Sequence, residues 1–306
     1  MHRKFAFLLL LVFAAPLVAQ ETLTVVTWNI ESGDADANVI ADRIKTAQGV
    51  DIWGFTEVQG AAVIPTLESA AEDGENADYQ SILGTTGGGD RMLIIYDADR
   101  LELVSQEELD EINIGGNVRA PLVAQFQDVI TGQGFFFMVN HLYRSRKDRR
   151  HQQSRLLNEW ASEQDSPVIA VGDYNYDWEV EGGDNDHDAG FDLLTAANIF
   201  IWIRPETLRR TQCSATSSGG CRFNSVLDFV FAANLPDSWR ASSEILVTPG
   251  DFPDDSSTPD HRPVQAAFDI SPPTTISIEE LKAKLLARIA ALEAEIAALR
   301  AIVEEL

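Results

Sequence analysis

The sequence predicts a layered α/β sandwich with mixed or largely antiparallel sheets. Short apolar runs of strand length alternate with helix-like segments through the main body, and hairpin-like neighbours are interleaved with the helices. In addition, polar residues at wide spacing (Asn29, Glu57, His141, Asp173, Asn175 and Asp228) each lie at the end of such a run or beside it, where a strand can deliver a side chain into a shared site.

His2-Arg3-Lys4, the apolar stretch Phe5 to Ala15 and the small-residue step Leu17-Val18-Ala19 before Gln20 have the form of an export signal over residues 1–19. That stretch is too short for a dependable membrane span and no later run is longer, so stable membrane insertion is not expected. Export would leave the chain secreted or periplasmic. The main domain is expected over residues 20–270, about 250 residues, a size at which α/β domains often remain single. Its strands are expected at Leu23 to Trp28, entering Asn29; at Asp51 to Thr56, ending on Glu57; and at Met92 to Tyr96, bounded by Asp97-Ala98-Asp99. Further strands are expected at Phe135 to Val139, Val168 to Val171 ahead of Gly172-Asp173, Val226 to Ala232 and Val264 to Ile270. Val39 to Ala47 is predicted helical, as is Leu156 to Ser162, which continues a helix out of a basic segment.

After the linker Ser271-Pro272-Pro273-Thr274-Thr275 (271–277) the composition changes. Ile278, Leu285, Leu292, Leu299 and Leu306 recur every seven residues, and Lys282, Ile289, Ile296 and Val303 form the other seam. β-branched residues at a with leucine at d favour a parallel two-stranded coiled coil, and Arg288 with Glu293 and Glu295 with Arg300 are attractive across such a pair. A homodimer through residues 278–306 is therefore expected.

Two cysteines, Cys213 and Cys221, are expected to pair in an oxidising compartment and stiffen a short loop. No Cys-x-x-Cys spacing or nearby histidine supports a metal site there. The acidic loops Asp34 to Asn38 and Asp184 to Asp188 could offer oxygen ligands to a structural Ca²⁺. Neither has the full calcium-loop pattern, which favours plain solvated loops. The formal charge of −25 disfavours general adhesion to anionic polymers or membranes. Against it, Arg144, Arg146, Lys147, Arg149, Arg150 and Arg155 concentrate cations directly after His141, which would focus an anionic substrate there.

Asp260-His261 is the most informative dipeptide, because only five histidines occur in the chain and one held by a carboxylate can act as a base. Read with Thr27-Trp28-Asn29-Ile30, Phe55-Thr56-Glu57-Val58-Gln59, Asn140-His141-Leu142, Gly172-Asp173-Tyr174-Asn175 and Ser225-Val226-Leu227-Asp228-Phe229, it completes an ordered series over residues 22 to 270. This series resembles the signature blocks of the endonuclease/exonuclease/phosphatase superfamily, whose members include deoxyribonuclease I, repair nucleases, sphingomyelinases and inositol polyphosphate 5-phosphatases.

The resemblance implies a deoxyribonuclease I-like four-layer sandwich, two packed mixed β-sheets flanked by helices, and a hydrolase acting on phosphate esters with Mg²⁺ or Mn²⁺. It implies Glu57 as the principal metal ligand with Asn29 and Asp260 nearby, and His261 as the base for the attacking water with Asp228 on its other ring nitrogen. Asp173 and Asn175 would position the nucleophile, while His141 would contact the phosphate or protonate the leaving group with Asp90 as its carboxylate partner. Arg119 would hold a substrate phosphate, and Arg144 and Arg146 begin where that phosphate would lie. His151 and His187 match no block and are expected in structural or surface roles. The leading expectation is a nuclease acting on DNA or RNA. A phosphatase or sphingomyelinase is the alternative within the family, and a non-catalytic oligomeric binding module is the alternative of another class.

Overall fold

Apolar runs without polar interruption are expected where a strand is covered on both faces, and the central strands of the two sheets of this molecule meet that condition. The computed structural model describes residues 21–252 and 257–271, together with the helical residues Lys282, Leu286, Ile289 and Ile296. The expected export signal, most of the linker and most of the heptad seam lie outside the described residues.

In chain order the elements are β1 (Thr22–Asn29), α1 (Ala37–Ile44), β2 (Ile52–Val58), α2 (Ile64–Ala71), β3 (Tyr79–Leu83), β4 (Arg91–Asp97), β5 (Leu101–Glu108), β6 (Leu122–Asp128), β7 (Gly134–His141), α3 (Lys147–Ser162), β8 (Val168–Glu179), α4 (Gly190–Leu194), β9 (Phe200–Trp202), β10 (Ser225–Ala233), β11 (Arg240–Ile245) and β12 (Val264–Asp269). They form two six-stranded mixed sheets, ordered β11-β12-β1-β2-β4-β3 and β5-β6-β7-β8-β10-β9. The pairs β1–β2 and β7–β8 are parallel, and the other pairs are antiparallel. With helices flanking the packed sheets, this is the four-layer α/β sandwich of the deoxyribonuclease I type. Among the described residues, no helix is long and apolar enough to cross a membrane.

Strand periodicity sorts the core into layers. Leu23 and Val25 of β1, Ile52 of β2 and Ile94 of β4 belong to the large cluster between the sheets. Their neighbours Val26, Trp28, Trp53, Phe55, Leu93 and Ile95 join Ile40, Ile44 and Leu67 in the layer under α1 and α2. On the other sheet Phe136 packs edge-on against Trp160 of α3. The sheets approach closely at Gly54 of β2, where an added Cβ would lie 2.7 Å from Val171 and 2.9 Å from Val139.

The structure extends the predicted strand at Val168 well past Asp173, to Glu179. The alternation Asp173-Tyr174-Asn175-Tyr176-Asp177-Trp178 gives the reason. Tyr174 and Tyr176 are fully buried and pack with Phe229 and Phe231 of β10, so the aromatic face holds the strand while the polar face carries Asp173 and Asn175. Other elements were not anticipated. β5, with the sequence Leu-Glu-Leu-Val-Ser-Gln-Glu-Glu, and β11 are edge strands largely open to solvent and lack an apolar run. β9 is three residues long.

Gly172 shows how tightly the centre is set. Its φ is +135°, and a Cβ there would fall 1.9 Å from the Asn140 carbonyl oxygen on the parallel neighbour β7. Gly172→Ala is expected to lower stability by more than about 1–3 kcal/mol, because backbone strain and a clash with unyielding backbone combine. Urea unfolding should show this loss, whereas Gly60→Ala, at an extended φ of 172° with open space around it, should stay within about 0.5 kcal/mol of the parent.

Candidate active site

Five strands bring the predicted residues together where the two sheets meet. Asn29 ends β1, Glu57 lies near the end of β2, His141 ends β7, and Asp173 and Asp228 stand opposite each other on β8 and β10. His261 precedes β12, and its backbone carbonyl accepts from the Trp28 indole at 2.8 Å. Asn29, His141, Asp173, Asn175, Asp228 and His261 are all buried.

Asp173 Oδ2 is the hub. His141 Nε2 lies 3.4 Å away, His261 Nε2 3.9 Å and Asn29 Nδ2 3.4 Å. Its other oxygen accepts from the Asn175 backbone N–H at 2.9 Å. Asn29 Nδ2 also donates to Glu57 Oε1 at 2.9 Å, and that oxygen is 3.8 Å from His141 Nε2. Glu57 has a φ of 57° and Asn175 of 54°. Left-handed backbone at a non-glycine residue costs on the order of 1–3 kcal/mol and clusters at functional positions. At Glu57 it coincides with the register shift between β2 and β4, so a bulge aims the carboxylate.

Each histidine has a carboxylate behind it. His261 Nδ1 is 2.7 Å from Asp228 Oδ2, which makes Nδ1 the donor and leaves Nε2 directed at the centre. His141 Nδ1 is 3.4 Å from Asp90 Oδ1, without the alignment of a full hydrogen bond, and Asp90 Oδ2 is bound by Arg119 at 2.6 Å. Burial alone would lower the His261 pKa. The charge and hydrogen bond of Asp228, then Asp173 and Asp260, outweigh it and push the imidazole up to about 10. Burial raises Asp90, but His141 and Arg119 hold it below the usual carboxylate value.

Glu57, His141 and Asp173 offer ligand atoms within 4.8 Å of one another, as do Asp173, Asp228 and His261. Asp260 adds a carboxylate whose Oδ1 lies 3.6 Å from His261 Nε2. Oxygen-rich donors of this kind suit a hard divalent cation such as Mg²⁺ or Mn²⁺. Asp90 Oδ1, His141 Nδ1 and Asp228 Oδ1 are buried without a hydrogen-bond partner among the described residues, as expected of a site shaped for something more than its own side chains.

Glu31, which follows the first block, was not anticipated. Burial and the nearby charges of Asp260 and Glu57 push its carboxyl up to about 7, and only its adjacency to Asn29 and Ile30 could have signalled it. Thr211 and Gln212 were also missed. Thr211 Oγ1 accepts from the backbone of Leu227 and Asp228 at 2.9 and 3.2 Å, and Gln212 donates to Asp260 at 2.7 Å. The adjacent Cys213 is their sole signal in the sequence, and Cys213 does pair with Cys221.

The basic run is a partial correction. Arg150 is buried, forks onto Asp188 at 2.6 and 3.2 Å, and braces the carbonyls of Tyr143 and Arg144. Arg149 donates to the Ile114 carbonyl and packs on Tyr143. These two serve the loop after β7, while Arg144 and Arg146 are exposed. The acidic loops are likewise accounted for: Asp36 caps α1, Asp184 pairs with Arg204, and Asp188 also meets His151. His187 stacks on Trp178 with ring centroids 4.5 Å apart.

Comparison with known proteins bears on the fold and the family. A search of curated protein sequences returns no match. Solved structures with the same fold include an endonuclease/exonuclease/phosphatase family protein from Bacteroides thetaiotaomicron, at 19% identity and TM-score 0.60 over 81% of this chain and 97% of that one. D. rerio TDP2 complexed with a single-strand DNA product matches at 18% and 0.61, over 81% and 98%. A mannosyl-6-phosphatase from Bacteroides thetaiotaomicron matches at 19% and 0.56, over 80% and 99%. The profile of the Endonuclease/Exonuclease/phosphatase family matches residues 26–248, most of the folded domain, and the chain belongs to that family.

Proposed function

We propose that this protein is a divalent-cation-dependent phosphodiesterase that hydrolyses nucleic acid. The observation that carries the reading is the placement of two imidazoles, each backed by a carboxylate, around Asp173 Oδ2. A phosphodiester needs a base for water on one side and a proton donor on the other, and this pairing supplies both. In its neutral form His261 Nε2 takes the proton of the attacking water, while Asp228 holds the Nδ1–H tautomer and stabilises the charge that forms. Asp173 and Asn175 orient the water and the phosphate. His141 Nε2 donates to a phosphoryl oxygen or to the leaving oxygen, with Asp90 behind it. Arg119, bound to Asp90, steadies that carboxylate and reaches toward a substrate phosphate. Glu57, Asn29 and Asp260 would hold the cation, which when bound neutralises charge on the phosphoryl oxygens.

Arg144 and Arg146 are exposed on the loop after His141, Arg146 only 3.8 Å from Asp148, and they favour an extended anionic substrate. That TDP2 is known with a single-strand DNA product supports the same choice. The export pattern of residues 1–19 and the Cys213–Cys221 disulfide support a secreted or periplasmic location. Purified protein with Mg²⁺ or Mn²⁺ should cut plasmid DNA or RNA and lose that activity to chelator. His261→Ala should reduce the rate about 10²–10⁴-fold with the fold retained by circular dichroism. Release of inorganic phosphate from phosphomonoesters, or of phosphocholine from sphingomyelin, with nucleic acid left intact would replace the nuclease reading with the alternative family activity.

The C-terminal helix supports a second part of the proposal, a homodimer through residues 278–306. Ile289 and Ile296 of the heptad seam, with Leu286 beside it, are helical and 44%, 49% and 64% exposed. Aliphatic residues repeating on one helix face call for a partner helix. Light scattering should give twice the chain mass for the full-length protein and one chain mass after deletion of residues 278–306.

A further inference from the structure

The segment 211–213 lies along residues 260–262 as a short antiparallel pairing. Gln212 bridges to His261, the Cys213 N–H donates to the Asp260 carbonyl at 2.9 Å, and the Arg262 N–H donates to the Thr211 carbonyl at 2.7 Å. Within this pairing Gln212 is 5% exposed. Its Nε2 donates to Asp260 Oδ2 at 2.7 Å and to Ser214 Oγ at 3.0 Å. Asp260 Oδ1 is the oxygen on the His261 side. Immediately after Gln212, the buried Cys213 is tied by its disulfide to Cys221, and the strand pairing Ala215–Cys221 closes the hairpin behind it.

We infer that Gln212 is a positioning residue: it fixes the rotation of the Asp260 carboxylate so that Oδ1 is presented to the cation, and the disulfide-closed hairpin holds Gln212 in place. The inference rests on the proposed function for Asp260's place on the cation side. An amide suits the task for a physical reason. The terminal torsion of aspartate is broad and roughly two-fold, so an unrestrained carboxylate samples both oxygens and many angles. A neutral donor on one oxygen selects an orientation and leaves the full negative charge on the group. A guanidinium or ammonium in its place would orient the carboxylate equally well but would repel the cation. Groups that orient metal-binding carboxylates in this way are worth about 10–100-fold in metal affinity or activity.

The test is Mn²⁺ affinity by titration calorimetry on the full chain, with no substrate present. Gln212→Met fills the same space without a donor, and Gln212→Ala serves as a second variant should the first unfold. Each is expected to weaken Mn²⁺ binding about 10–100-fold while the thermal midpoint without metal stays near that of the parent. In an Asp260→Ala background the same substitution should have little further effect, because the partner it orients is gone. Unchanged Mn²⁺ affinity in the Gln212 variants, or a full additive loss in the Asp260→Ala background, overturns the inference. If the parent binds Mn²⁺ yet cleaves no nucleic acid, the proposed substrate fails while the Gln212 result still stands. If the parent binds no Mn²⁺, both fail together.

Discussion

Face-to-face packing of the two sheets is the constraint on which the site depends. Around Gly54 no side chain separates β2 from Val139 and Val171 of the opposite sheet, and at the strand ends the polar side chains of the two sheets meet, Asn29 with Asp173 at 3.4 Å and Glu57 with His141 at 3.8 Å. Asn29 and Glu57 arrive from one sheet, and His141, Asp173 and Asp228 from the other. Neither sheet alone holds enough polar groups for acid–base work. The strand interiors are apolar because both faces are covered, which leaves only their ends and irregularities for chemistry. The positive φ angles at Glu57 and Asn175 and the register shifts in β2 and β10 are where the regular ladder is given up.

Aromatic packing and polar function share β8 through the strand's two-residue period. Tyr174, Tyr176 and Trp178 lock it against β10 and α4, and this packing adds to the hydrogen bonds that Asp173 and Asn175 make to Asn29, to each other and to the Leu142 carbonyl. Gly172 makes the approach to β7 possible one residue earlier, setting Asp173 beside His141 in the parallel register. Rigid supports of this kind keep catalytic groups in place before substrate arrives, when their mutual repulsion would otherwise spread them.

Much of this was legible in the sequence, because the central strands and their terminal polar residues follow simple rules. β1, β2, β4, β7, β10 and β12 lie where apolar runs predict them, whereas the interior strand β6 was not anticipated, and the ordered blocks foretell which residues meet. The edge strands were not legible, since β5 and β11 face water and need no apolar run. The far half of β8 was hidden because its Asp-Tyr-Asn-Tyr-Asp-Trp alternation resembles a polar loop unless its aromatics are known to be buried. Gln212 and Thr211 could not be found from local sequence, because their partners Asp260 and Asp228 lie 48 and 17 residues away. Arg149 and Arg150 looked like part of a cationic face, and only tertiary contacts show them turned to the Ile114 carbonyl and to Asp188.

That last correction sharpens the electrostatics of a chain with formal charge −25. A phosphate ester approaching the candidate site would meet Glu57, Asp173, Asp260 and Glu31, while the exposed cations beside it reduce to a few, with Arg144 and Arg146 foremost. Both are solvated, and at physiological ionic strength such charges are screened beyond about 8 Å. They can guide a polyanion to the entrance but cannot cancel the carboxylates within. Burial first, and then the charges of Asp260 and Glu57, push Glu31 up to about 7, and the carboxylates around His261 push it up to about 10 against its burial. On the proposed reading, a divalent cation held by Glu57 and Asp260 would answer this charge directly: it would oppose the carboxylates, lower the pull that raises the His261 pKa, and let a site rich in negative charge accept a phosphate.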